Sequence, residues 1–111
     1  GALRFVNVSY FENAILKLER ENPRIVFILV QCSGINQIDA SGIEMLKNLS
    51  ERLESNGIHL AFSSVKHQVS NVMQTTGLLG LVGNDNIFAT DRDAIATLRD
   101  RLEQLARTTS A

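Results

Sequence analysis

The stretch Ile38-Asp39-Ala40-Ser41-Gly42-Ile43-Glu44-Met45-Leu46 holds the residue types and spacing most able to do chemistry in this chain. An apolar run from Ile25 to Val30 precedes it and a helical repeat follows, so a buried strand leads through a short loop into a helix start. Amides at a helix start point outward without partners, and the summed peptide dipoles favour negative charge there. Asp39 can cap this helix. So can Ser41, because Ser41-Gly42-Ile43-Glu44 is itself a capping box. Asn36 and Gln37 sit beside the loop and can add hydrogen bonds. Nothing recommends Ser41 as a nucleophile with His59 or His67 and Asp39. It lacks a G-x-S-x-G elbow, and Asp39 lies two residues from it rather than behind a base.

The remaining reactive side chains are few. His59, His67 and Cys32 offer no pairing at metal-ligand spacing. The histidines read as solvated or locally bonded, and Cys32, closing an apolar strand, as a small buried hydrophobe. Gly77-Leu78-Leu79-Gly80-Leu81-Val82-Gly83 has a phosphate loop's glycines but follows a helix and lacks both G-x-G-x-x-G and G-K-[ST] spacing. It reads as a turn tucking Leu78 and Leu81 into the core, the lesser alternative being that some of its leucine and valine side chains stay outside as a docking patch. Lys66 and His67, with Arg4 or Lys47, read as ordinary surface charge. No metal or cofactor is implied.

The elements that must position the loop follow from periodicity. Leu3 to Val8 alternates as a strand, and Ser9-Tyr10-Phe11-Glu12 is a capping box opening a helix that faces Phe11, Ala14, Ile15 and Leu18 inward and stops at Asn22-Pro23. Ile25 to Val30 reads as a central strand covered on both sides. The helix from Asp39–Ser41 aligns Ile43, Leu46, Leu49 and Leu53 and ends at Asn56-Gly57. Ile58, Leu60 and Phe62 mark a third strand. Gln68 to Thr76 is a short helix carrying Val69, Val72 and Met73 inward. Ile87-Phe88-Ala89 is a last strand, and Thr90-Asp91-Arg92-Asp93 opens a final helix with Ile95, Leu98, Leu102 and Leu105 as its stripe; Arg107 to Ala111 is expected to fray. Strand and helix alternate four times with no internal repeat or linker. That order predicts one α/β domain over residues 1–111, with a mostly parallel sheet of about four strands and about four helices.

Composition agrees. The 111 residues are 44% hydrophobic and 21% charged, which suits a compact domain. A formal charge of −1 with no basic cluster argues against a nucleic-acid partner. Five Phe, one Tyr and no Trp leave little surface for stacking on bases or sugars. No apolar run reaches the roughly 18–20 residues that span a bilayer, and no export segment opens the chain.

Asp39-Ala40-Ser41-Gly42 after a hydrophobic strand resembles the signature loop of STAS domains, shared by bacterial anti-sigma-factor antagonists and the cytoplasmic tails of sulfate-permease-type (SulP) anion transporters. Gly1-Ala2-Leu3-Arg4-Phe5-Val6-Asn7 is similar to the Gly-x-Leu-x-Phe-x-Asn stretch of SulP tails. Gly57-Ile58-His59-Leu60, Thr76-Gly77-Leu78 and Ile87-Phe88-Ala89-Thr90 look like further SulP landmarks. The resemblance implies a STAS-like fold, with the family's first strand expected to be missing ahead of Gly1.

For function, the resemblance implies a non-enzymatic regulatory and interaction domain on the cytoplasmic side of the inner (plasma) membrane. Its implied partners are the transporter's own membrane domain, a second subunit in a homodimer, and soluble regulatory proteins. Asn36, Gln37, Asp39, Ala40, Ser41 and Gly42 would form the contact surface. The alternative is a free-standing antagonist binding a serine kinase. In that branch the residue after the loop aspartate carries a phosphorylatable hydroxyl, and here it is Ala40, which has none. Ser41, one position on, reads as a side chain occupied with capping. Nucleotide binding near the loop, reported for some STAS domains, is not expected, because Asn36–Glu44 contains no basic residue.

Overall fold

The computed structural model describes residues 3–6 and 11–110, and among them the chain alternates strand and helix. Strand β1 is Leu3–Val6, helix α1 Phe11–Glu21, β2 Phe27–Gln31, α2 Ala40–Ser55, β3 His59–Ser63, α3 His67–Thr75 and α4 Leu78–Val82. A single 3-10 turn, Asn84–Asn86, leads into β4, Ile87–Phe88, and the chain closes with α5, Asp91–Ser110. The four strands form one sheet in chain order β1-β2-β3-β4, every neighbouring pair parallel. Phe27 pairs with Leu3 on one side and His59 on the other, so these three residues form a row at the end where the strands begin.

The β2 and β3 side chains are sorted to two faces by the period of two. Ile28, Val30, Leu60 and Phe62 point to the larger core, which α1 to α4 cover with Ile15, Leu46, Leu49, Leu53, Met73 and Leu78. Phe27, Leu29 and Ala61 point the other way, where α5 alone supplies Ala94 and Leu98 at full burial and Ile95 and Leu102 at partial burial. This two-sided cover is why β3 reads as buried from Leu60 through Ser63 rather than alternating.

Helix boundaries have local causes. The α2 stripe of Ile43, Leu46, Leu49 and Leu53 is buried as its spacing predicts, and Gly57 follows in the left-handed conformation at φ 78°. Gly77, at φ 86°, stands between α3 and α4 in the same conformation. Glu19 of α1 pairs with Arg52 of α2 at 2.6 Å and accepts from Asn56 Nδ2 at 3.0 Å, tying neighbouring helices on the surface.

Four expectations need amending. The second strand starts at Phe27 rather than Ile25, because Ile25 is still held in the preceding turn by its amide bond to the Asn22 carbonyl. Gly77–Gly83 encloses the short helix α4, which buries Leu78 and Val82 but leaves Leu81 38% exposed. Position 81 lies three residues past 78, yet the helix meets the core through Leu78, Leu79 and Val82 and turns Leu81 outward. Leu105, placed in the α5 stripe by spacing, is 49% exposed because the helix has run past the strands it covers. The tail does not fray at Arg107; α5 continues through Ser110. The capping box at Ser9 lies outside the described residues, as do positions 7 and 8 of the first strand.

Candidate functional site

The loop between β2 and α2 leaves the sheet at Cys32, whose amide donates to the Ser63 carbonyl at 2.9 Å, and turns back as the Ile35 amide bonds the Cys32 carbonyl at 3.0 Å. Ile35 and Ile38 are half-buried against the main core and anchor the loop from beneath. Their anchoring leaves Asn36, Gln37, Asp39, Ala40 and Ser41 exposed, with Gly42 half-buried. The predicted site residues therefore share one surface.

The two capping alternatives resolve in favour of Asp39. Its Oδ1 accepts from the Gly42 amide at 2.8 Å, its backbone is extended as an N-cap requires, and its carbonyl receives the Ile43 amide at 3.0 Å. Ser41 does not cap; its hydroxyl donates to the same Oδ1 at 3.0 Å. These donors, the Gly42 amide first and the Ser41 hydroxyl second, hold the Asp39 carboxyl below its ordinary value of 3.8. The helix start is thus occupied by a carboxylate of the protein's own. Gly42 is required by proximity: a Cβ there would stand 3.0 Å from Ile38 Cγ1 and 3.3 Å from Asp39 Oδ1.

Two residues that sequence reasoning did not assign to the site reach it, Lys66 from the turn after β3 and Gln68 from the first turn of α3. Lys66 Nζ donates to the Asn36 side-chain oxygen, and Gln68 Nε2 donates to the Asn36 carbonyl at 3.2 Å. A basic side chain therefore does border the loop, although none lies within Asn36–Glu44 in sequence. Lys66 is some thirty positions away, so no local pattern could have placed it there. Beside these residues a groove of about 640 Å³ runs along Gly34–Asp39, with Gly42 and Met45 completing its wall.

His59 opens β3 at the opposite end of the sheet from Ser41, stacked at 5.8 Å on Phe27, with its Nδ1 3.4 Å from Glu54. His67 lies 3.3 Å from the Asn71 side-chain nitrogen. Neither stands behind Ser41 as a base. Cys32 is buried as expected. Burial, then the Asp91 carboxylate, pushes its thiol up to about 12, which makes it a poor nucleophile. Among the described residues no helix is long and apolar enough to cross a membrane, and no group of three or more His, Cys, Asp or Glu could hold a metal ion.

Comparison with known proteins agrees with this geometry. Residues 1–94 match the STAS domain. The chain is 33% identical over 101 residues to the probable sulfate transporter 4.2 of Arabidopsis thaliana, an alignment covering 82% of this chain and 15% of that protein. It is 30% identical over 106 residues to the high affinity sulfate transporter 2 of Stylosanthes hamata, covering 87% and 16% respectively. The chain thus spans about one sixth of the length of the curated relatives it matches. In three dimensions it is similar to the SulP transporter STAS domain of Vibrio cholerae, with a TM-score of 0.77 at 19% identity, over 92% of this chain and 83% of that one. At that identity the likeness concerns the fold alone. A buried strand, a capped and exposed Asp39-Ala40-Ser41-Gly42 loop and a parallel sheet in chain order come together here as one arrangement, and the chain belongs to the STAS domain family.

Proposed function

We propose that residues 1–111 form one STAS domain that acts as a non-catalytic regulatory and interaction module of a SulP-type anion transporter, on the cytoplasmic side of the membrane. Its partners are the membrane unit of its own transporter, a second subunit, or soluble regulatory proteins. Asn36, Gln37, Asp39, Ala40, Ser41 and Gly42 provide the contact surface. The observation that carries this reading is the exposed loop itself. Five of its side chains face solvent above the half-buried Ile35 and Ile38, and Ala40, directly after Asp39, is a methyl with no hydroxyl to modify. A surface of this kind suits constitutive docking rather than a phosphorylation switch at that position. The similarity to sulfate transporters, over 82% and 87% of this chain, supports the transporter branch over a free-standing antagonist.

The experiment is sulfate uptake by the intact transporter carrying Gln37→Arg or Ala40→Arg, with Glu103→Arg on the exposed side of α5 as control. The two loop variants are expected to lower uptake at least fivefold at unchanged membrane abundance, with the control near wild type. Wild-type uptake in both loop variants would overturn the proposal.

A further inference from the structure

The segment that links β3 to α3 bonds two parts of the molecule that are distant in sequence, the start of α5 and the loop before α2. On one side Ser63 Oγ and Ser64 Oγ both donate to Asp91 Oδ1, at 2.6 and 2.8 Å, fastening the first residue of α5 to the end of β3. On the other side Lys66 and Gln68 bond the Asn36 side chain and carbonyl. Between them stands backbone strain. Among the described residues Ser64 is the single non-glycine with positive φ, at 56°. A serine stays in that region when its surroundings over-determine it. Its hydroxyl bond to Asp91 and its amide bond to the Phe88 carbonyl at 3.2 Å are the holding contacts.

Among the described residues helix α5 is the one helix that covers the smaller core. That core holds five buried residues, Ala94 and Leu98 of α5 among them, whereas the core on the other face has sixteen. Its attachment is apolar through Ala94 and Leu98 and polar at two points: the Asp91 clasp at the strand ends, and Arg101 near the strand starts, bonding Asn86 Oδ1 and the Asp85 carbonyl at 2.6 Å each.

We infer that the segment Ser64–Gln68, the turn after β3 with the first residues of α3, couples the seating of α5 to the conformation of the Asn36–Gly42 loop. When α5 is seated, Asp91 holds Ser64 in its left-handed conformation, and the segment presents Lys66 and Gln68 to Asn36. When α5 lifts, Ser64 loses its side-chain bond and relaxes, Lys66 and Gln68 withdraw, and the loop is freed. The regulatory meaning of this coupling rests on the loop's proposed contact role. The coupling itself is intramolecular and is measured without any partner.

The test is amide hydrogen exchange and amide chemical shifts on the 111-residue chain. In Asp91→Asn, amides of residues 95–104 are expected to exchange at least tenfold faster and the amides of residues 36–42 to shift. Residues 16–20 of α1, which pack on the same sheet face without bonding the turn, should keep their shifts and protection. Asn36→Ala, a surface change that leaves Asp91 in place, should speed α5 exchange several-fold in return, since coupling is reciprocal. Ser64→Gly accepts the left-handed conformation without strain. In that background Asp91→Asn should move the loop amides less than half as far as it does alone. The inference is overturned if Asp91→Asn frees α5 with the loop unmoved, if it shifts α1 as much as the loop, if Asn36→Ala leaves α5 exchange unchanged, or if Ser64→Gly leaves the loop response intact. Each of these results can occur whether or not loop variants impair uptake, so the two proposals fail separately.

Discussion

Asp39 and Ser41 show how far a short motif can be read without coordinates. Each is a good N-cap by type, and the sequence leaves both open. Capping depends on which residue keeps extended backbone while the next turns helical, and burial of Ile35 and Ile38 decides that here by fixing where the loop meets the core. The assignment has consequences that can be measured. Asp39→Ala should lower the urea midpoint more than Ser41→Ala, because the latter leaves the Gly42 amide bond in place. The Asp39 carboxyl, followed by NMR, should titrate below 3.8. Because its folded value is depressed, the cap's contribution is complete above the unfolded value and is lost as pH falls through the folded one. Asp39→Asn should remove that part of the acid dependence. Gly42→Ala should destabilise by about 1 kcal/mol, crowding against Ile38 outweighing alanine's better helix propensity. Cys32, with a thiol near 12, should resist thiol reagents at pH 8 until urea opens the core.

Periodicity found each strand and long helix but not where an element leaves the core. The stripe Ile95, Leu98, Leu102, Leu105 is regular in sequence, yet burial falls from complete at Leu98 to half exposure at Leu105, since the sheet ends beneath it. Leu98→Ala should therefore cost about 2–5 kcal/mol, while Leu105→Ala should cost under about 0.5 kcal/mol, both read from urea unfolding. The α4 segment was hard to read for a different reason. Five residues between two glycines hold barely one turn, too few to show a period, and the helix forms because Leu78 and Val82 have a core to enter. Leu81, on its outer side, has none.

The whole molecule adds what no window of sequence contains. The parallel character of the sheet followed from the alternation of elements, and the exposed start of α2 from a loop leading into a helix, but the order of the strands did not follow from either. The contacts of Lys66 and Gln68 with Asn36, and of Asp91 with Ser63 and Ser64, join residues 27 to 32 positions apart and depend on the order of strands in the sheet. They place the proposed contact loop, the turn after β3 and the start of α5 at one end of the sheet, where the strands finish. His59 and the Arg101 contacts lie toward the other end. A partner recognising the loop would meet the first group and not the second. Photo-crosslinking in the intact transporter, from a photoreactive residue placed at position 40 or at position 103, tests this claim most directly. Position 40 is expected to yield adducts with the transporter's membrane unit, a second subunit or a regulatory protein, and position 103 is expected to yield none. Adducts from position 103 with none from position 40 would contradict it.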